Sequence, residues 1–493
     1  MLIALQNGIA TALPVIAEDL HLSDAYAIAC TVLLSLSGGL AEAFGRRPVI
    51  VSTLLLFAIG SALCGAAQNM AVLITGRIIQ GAGAGGIFSL TQIILSDLVS
   101  LDERGKYNGL FGLAWALAGG LGPLVCGSLA SQGQWRWLFY LNVPPAVILA
   151  VLILKFLHVP TPPGTVTEKL LKIDWIGLSI LIPSTCAALL GLTWGGVTFP
   201  WTSFQVLVPL CLGVAGIVGA MTYEWKSAQN PVIPFHLVSN RTSLSGYVQM
   251  GIVAVCLLDL IYYLPVYYQA CKEASPTASG VDLFGLTFSS APMSIFAGIS
   301  VGITKRFRPQ MWMGWCFMLV GFGLLSIVTF DTSRAESIGY QIIVGSGIGI
   351  IWSAAYFPVL APVPVTSSAY ALSFLVFCRV FPQVWGVTIT GTIIQNGLKS
   401  RLPQSLLAQN SGNAELIYAI IPRVSTLDEP LKTLVRKAFG ETLQVVWRIH
   451  IGAAGCGLLA SLAMKPLPLH TERDKRWEME GASGGLKESK EDA

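Results

Sequence analysis

The chain has 493 residues, of which 54% are hydrophobic and only 11% charged, with a formal net charge of +4. A soluble domain carries roughly 25% charged residues, so this composition excludes a soluble globular protein, and the small net charge excludes nucleic acid as a partner. No Cys-x-x-Cys pair or Cys/His cluster has metal spacing; Cys30, Cys64, Cys126, Cys186 and Cys256 fall inside apolar runs and read as small buried hydrophobes.

A membrane-spanning helix needs about 20 mostly apolar residues. Segments of this kind fall at 1–17, 25–43, 48–67, 71–99, 106–130, 137–157, 174–194, 204–223, 243–269, 281–303, 311–330, 337–360, 368–394 and 442–464. The first lacks a basic n-region and reads as a span rather than a cleavable signal peptide. Two hydrophilic gaps stand out: the Pro- and Lys-rich Val159–Lys172 and the mixed-charge stretch from Lys399 to Glu441. The tail beyond Lys465 is charged, lacks apolar periodicity and reads as disordered.

Orientation follows from the bias of Lys and Arg among short loops. Arg46, Arg47, Arg104, Lys106, Lys155, Lys169, Lys172, Lys226, Arg241, Lys305, Arg306 and Arg308 fall on one side; Arg136, Lys272 and Arg334 fall on the other. Twelve against three assigns the first side to the cytosol, together with both termini. The sequon Asn240-Arg241-Thr242 then faces the cytosol and is expected to be unused.

The motifs come in chain order. The second span ends in Gly38-Gly39-Leu40-Ala41-Glu42-Ala43-Phe44-Gly45-Arg46-Arg47, where the glycines allow a tight turn and the acid sits beside two arginines. The fourth span carries Arg77 and Gln80 in Arg77-Ile78-Ile79-Gln80-Gly81-Ala82-Gly83. An arginine there is costly and marks a functional site by default. Gly81 to Gly86 lies between no strand and helix, so it reads as close helix packing and not as a dinucleotide loop. The fifth span carries Gly119-Gly120-Leu121-Gly122-Pro123-Leu124-Val125-Cys126-Gly127, a proline with glycines on both sides. Then come Trp135-Arg136-Trp137-Leu138-Phe139-Tyr140-Leu141-Asn142-Val143-Pro144, Leu192-Thr193-Trp194-Gly195-Gly196 and Tyr262-Tyr263-Leu264-Pro265-Val266-Tyr267-Tyr268-Gln269.

Together these residues resemble the major facilitator superfamily, and within it the fungal fourteen-span drug:proton antiporters. The Gly38–Arg47 turn is similar to the family's signature loop, with Glu42 where Asp is usual and Ala43 where a basic residue is usual. The resemblance implies a cytoplasmic gate of Gly38, Glu42, Gly45, Arg46, Arg47, Asp97 and Arg104. It implies a proton-coupling and packing role for Arg77 with Gln80, and an antiporter helix at Gly119, Gly122, Pro123 and Gly127, with Cys126 in place of a glycine. Arg379 matches an arginine of the family, for which a fold role and a substrate contact both stay open.

The family often has an Asp in the first helix. Aligning back from Ala10-Thr11-Ala12-Leu13-Pro14 puts Leu5 there, with no acid upstream; the first helix is about a dozen residues short and the second about five. Lost sequence and a degenerate member both remain open. The intramembrane acid left is Asp259, which either carries the proton, binds a cationic substrate, or is satisfied by a hydroxyl or Arg of another helix. Arg448 and His450 either face a cavity or mark an imperfect span.

The expected fold is all-α and polytopic: two six-helix halves (1–158 and 241–464), with a linker and two added helices at 159–240 and a tail at 465–493. The expected function is proton-coupled export of small amphipathic compounds such as drugs, toxins or secondary metabolites. A vacuolar basic amino-acid transporter and a non-transporting sensor or relic are the alternatives. No G-x-x-x-x-G-K-[ST] loop marks an ATP site. The chain is expected to be a monomer without cofactor or metal, not an enzyme, with protons, a small molecule and the bilayer as partners. The plasma membrane is preferred to the vacuolar membrane.

Overall fold

A computed structural model describes residues 44–99, 104–158, 174–227, 238–364, 367–403 and 420–468, with a few isolated positions besides. Apart from such positions, the expected spans 1–17 and 25–43 lie outside the described residues, as does most of the tail.

Among the described residues the chain is helical: α1 (Arg46–Gly65), α2 (Met70–Leu98), α3 (Arg104–Ser131), the short α4 (Trp137–Tyr140) and α5 (Val143–Phe156). Then come α6 (Trp175–Trp194), α7 (Phe204–Lys226), α8 (Arg241–Lys272), α9 (Pro276–Asp282) and α10 (Phe284–Thr304). Last are α11 (Arg308–Leu325), α12 (Arg334–Ala354), the short α13 (Tyr356–Leu360), α14 (Ser368–Arg401) and α15 (Leu431–Leu462). Among the described residues, ten helical stretches are long and apolar enough to cross a membrane. Helices suit that setting because they satisfy their own backbone groups in hydrocarbon.

Starts are set by side chains that accept the first free amides. Asn69 accepts from Val72 at 3.0 Å, Asp174 from Gly177 at 2.9 Å and Asn240 from Thr242 at 2.9 Å. Ser333 and Glu336 form a capping box on α12.

The stretch from Lys399 to Glu441 is not simply a gap, and α15 begins eleven residues before the expected 442. Its first three turns are amphipathic. Val435, Ala438 and Phe439 are buried, while Lys432 pairs with Glu273 at 2.7 Å and Lys437 with Glu441 at 3.8 Å. Charge hides such a segment from a hydropathy scan, although its apolar stripe is intact.

Helices α1, α2, α4 and α5 pack as one group and α8 to α15 as another, while α3 touches α4 but packs mainly on the second group. The two groups meet through α3, which lies along α9 and α10, and where α2 meets α14. Helices α6 and α7 pair closely: a Cβ on Gly213 would come within 2.6 Å of the Ala188 Cβ, and one on Gly191 within 2.9 Å of the Leu210 amide. This pair is tied to α14. Thr392 donates to the Leu192 carbonyl at 3.1 Å, Asn396 to Gly195 at 3.3 Å and Lys399 to Gly196 at 3.0 Å. Gly196 has φ +73°, a left-handed backbone that favours glycine. Outward faces stay apolar, as with Ile148, Val151 and Phe156 on α5 and Phe204, Leu212 and Trp225 on α7. Such faces suit hydrocarbon and would be an aggregation hazard in water.

Candidate functional site

The first cluster lies at the start of α1. Gly45 has φ +92°, so the chain turns there through a backbone that side chains rarely adopt. Arg46, 1% exposed, donates from Nε to Asp97 Oδ2 at 3.0 Å and so joins α1 to the end of α2. Arg47 donates to the Leu154 carbonyl and holds the end of α5. Gly38 and Glu42 lie outside the described residues, as does the Arg104 side chain.

The second cluster lies near the opposite end of α1 and α2. Arg77 Nη1 donates to Gln80 Oε1 at 3.0 Å, Gln80 Nε2 to Ser61 Oγ at 2.7 Å, and Ser61 to the Phe57 carbonyl at 2.7 Å. The Arg77 guanidinium also lies 5.7 Å from the centre of the Phe139 ring. The two helices come close because their facing residues lack side chains. A Cβ on Gly83 would come within 2.6 Å of the Thr53 carbonyl oxygen, and one on Gly60 within 2.6 Å of the Gln80 Cα.

The third cluster lies mid-span in the second group. Asp259 is 1% exposed. Its Oδ2 accepts from Thr390 Oγ1 at 2.8 Å and lies 3.0 Å from His450 Nε2. Its Oδ1 is buried with no hydrogen-bond partner. Phe322 packs 5.2 Å from the His450 ring and Trp447 5.8 Å from it. Arg448, two residues before His450, points outward and is exposed.

The fourth cluster bridges the two groups toward the Arg46 end. Arg379, 3% exposed, stacks 3.7 Å from the Trp352 ring of its own group and 4.8 Å from the Phe88 ring of the other. It also hydrogen-bonds Tyr356. Beside it Ser89 donates to Ser373 at 3.4 Å. Toward the other end, Gly127 lies where α3 packs on α9, and a Cβ there would come within 2.9 Å of the Thr277 Cα. Gly119, Gly122 and Pro123 lie on the same unbroken helix α3.

Arg77 with Gln80, Asp259, and Arg379 thus occupy three separate places. The structure does not gather them into one site.

The sequence matches the Major Facilitator Superfamily over residues 1–387. The chain belongs to the major facilitator superfamily. It is similar to "Efflux pump FUS6" of Gibberella moniliformis (strain M3125 / FGSC 7600), 35% identical over 98% of this chain and 87% of that protein. "MFS-type efflux pump MMF1" of Pseudozyma antarctica (strain T-34) is 34% identical over 94% of this chain and 87% of that protein. The fold is also that of an auto-inhibited POT family peptide transporter, with TM-score 0.58 and 13% identity over 96% of this chain and 98% of that one. The proton:xylose symporter XylE aligns with TM-score 0.54 and 16% identity over 90% of this chain and 97% of that one. This major facilitator protein is a multi-pass membrane transporter of small molecules, not an enzyme.

Sequence reasoning did not find Ser61, Phe88, Trp352 or Thr390, because each meets its partner on a neighbouring helix of the folded bundle. His450 carried a signal: an imidazole mid-span needs a partner as much as Asp259 does. Nor did it find an apolar groove of about 780 Å³ between α7 and helices α8 and α14 of this facilitator, lined by Trp225, Tyr247, Phe374, Phe377 and Phe381. Phe374, Phe377 and Phe381 stack in register at 5.9 Å and 5.0 Å, one turn apart along α14.

Proposed function

We propose that this protein is a proton-coupled exporter of small amphipathic compounds, with protons moving inward as compound moves outward. The observation that carries the reading is Gly127. The glycine-and-proline helix α3 that resembles the antiporter motif packs along α9 and α10, with no space for a side chain at Gly127 against Thr277. A close backbone seam can slide and reseal without opening a leak. The relatives named as efflux pumps support the direction of transport.

The proposed cycle uses the two ends of the bundle in turn. Arg46–Asp97 and Arg379–Phe88 hold the Arg46 end together, and the reading assigns that end to the cytosol. Opening it would break the Arg379 clamp, while the Gly127 seam keeps the other end closed. Rocking of two halves about a midplane site is how such folds alternate access.

The test is proton flux in proteoliposomes under an imposed pH gradient, with a panel of amphipathic drugs, hydrophobic metabolites, arginine and lysine. Collapse of the gradient by amphipathic compounds alone is the expected result. Collapse by arginine and lysine would favour basic amino-acid transport instead, and no flux from a folded protein would overturn the reading.

A further inference from the structure

We propose that Asp259 and His450 form the proton-carrying site of this transporter, with one exchangeable proton held between Asp259 Oδ2 and His450 Nε2. The inference rests on the reading of the protein as proton-coupled and assigns its proton to two named atoms.

Hydrogen positions follow from the partners. His450 Nδ1 lies 2.9 Å from the Val446 carbonyl oxygen. A carbonyl can only accept, so Nδ1 carries a hydrogen. A neutral imidazole with hydrogen on Nδ1 has a bare lone pair on Nε2. That nitrogen is 3.0 Å from Asp259 Oδ2. Two lone pairs cannot face each other at that distance in a buried site. A second proton therefore sits between them, on either atom.

The neighbours make this proton the variable one. Thr390 already donates to the same oxygen at 2.8 Å, and the buried Oδ1 has no partner. Among the described residues, Asp259 has no ion-pair partner other than His450. Cys256 lies one turn earlier on α8 and is buried. From α11 the Phe322 ring faces the pair, and on α15 Trp447 flanks it. Among the described residues no fixed cation is paired with Asp259 to balance a bare carboxylate. With the proton present the pair is neutral overall, whether written as imidazolium–carboxylate or imidazole–carboxylic acid. Without it one negative charge remains in hydrocarbon, and Nε2 and Oδ2 repel. The proton can leave only when the pair opens to water, and its departure forces the two side chains apart. This links proton loss to a change of shape.

The site also stands where no acid of the first helix is needed. All three polar partners, on α8, α14 and α15, belong to the same helix group, so rocking of the groups would expose or cover the pair without dismantling it.

The test measures proton release on compound binding, in weakly buffered detergent solution with a pH indicator, using whichever compound drives flux in liposomes. Wild type, Asp259→Asn, His450→Gln and Asp259→Glu are compared, each checked for a monodisperse profile and a cooperative melt. The wild type is expected to release about one proton, with affinity falling roughly tenfold per pH unit below its midpoint. Asp259→Asn and His450→Gln should lose the release and flatten the pH profile. Asp259→Glu should restore both at a shifted midpoint. Folded Asp259→Asn and His450→Gln variants that release protons as the wild type does would overturn the site while leaving proton coupling intact. A wild type that moves labelled compound without moving protons would overturn proton coupling itself, and with it this site, before any variant is made.

Discussion

The guanidinium of Arg379 stands 4.8 Å over the ring of Phe88, and the two residues belong to different helix groups. On its other side Arg379 lies 3.7 Å from Trp352, within its own group. The cation is thus shared between a permanent partner and one that is lost when the groups part. A desolvated cation–π contact is worth about 1–2 kcal/mol. Phe88→Ala should therefore shift the closure equilibrium about five- to thirtyfold toward opening at the Arg46 end. Thiol labelling at Ser373→Cys, in a background without the exposed Cys211, Cys316 and Cys456, should speed up by that factor.

The same seam offers a covalent check. Ser89 Oγ and Ser373 Oγ are 3.4 Å apart. The double variant Ser89→Cys/Ser373→Cys should form a disulfide under mild oxidation and stop transport, with recovery under reductant. Unimpeded transport by the crosslinked protein would show that this end does not open.

Arg46 and Asp97 make a second contrast. Both are buried, and removing one partner of a buried pair leaves an uncompensated charge at a cost of about 3–5 kcal/mol. Asp97→Ala should lower the melting temperature and yield of folded protein sharply. Replacing both, as Arg46→Met with Asp97→Leu, should recover most of that loss in a thermal melt while transport stays impaired.

Glycine positions should separate into two kinds. Gly83→Ala drives a methyl group onto backbone atoms of α1, which cannot move aside as a flexible side-chain end would. Overpacking of this kind costs about 1–3 kcal/mol or more. Gly219→Ala meets nothing within 4 Å and gains helix propensity, so it should be neutral or stabilising by up to about 1 kcal/mol. Thermal melts of the two variants in one detergent decide the matter.

Asn240 should carry no glycan. Its side chain caps α8, and the Thr242 hydroxyl is buried and accepts from the Lys465 amide at 3.1 Å. Endoglycosidase should leave the gel mobility unchanged. Asn240→Ala should destabilise by about 1 kcal/mol through the lost cap.

The helices were legible because hydrocarbon demands long apolar runs, and such runs are visible one residue at a time. The breaks were less so. The run at 137–157 is interrupted at Leu141-Asn142, 281–303 is preceded by the separate helix α9, and 337–360 divides at Ala355, because packing against neighbours decides where a helix stops. Asp259 stood out because a mid-span acid needs a reason, yet its partner is 191 residues away and no local pattern joins them. Arg379 stood out in the same way. Its position over Phe88 depends on how α2 and α14 cross, which is a property of the assembled bundle.

The tether of α6 and α7 to α14 through Thr392, Asn396 and Lys399 has a practical consequence. The turn between the added helices, around Trp201, is fastened to one helix group. A small antibody fragment raised against that turn would move with the second group. It would serve as a fiducial for imaging and as an indicator of rocking, without touching the seam that opens.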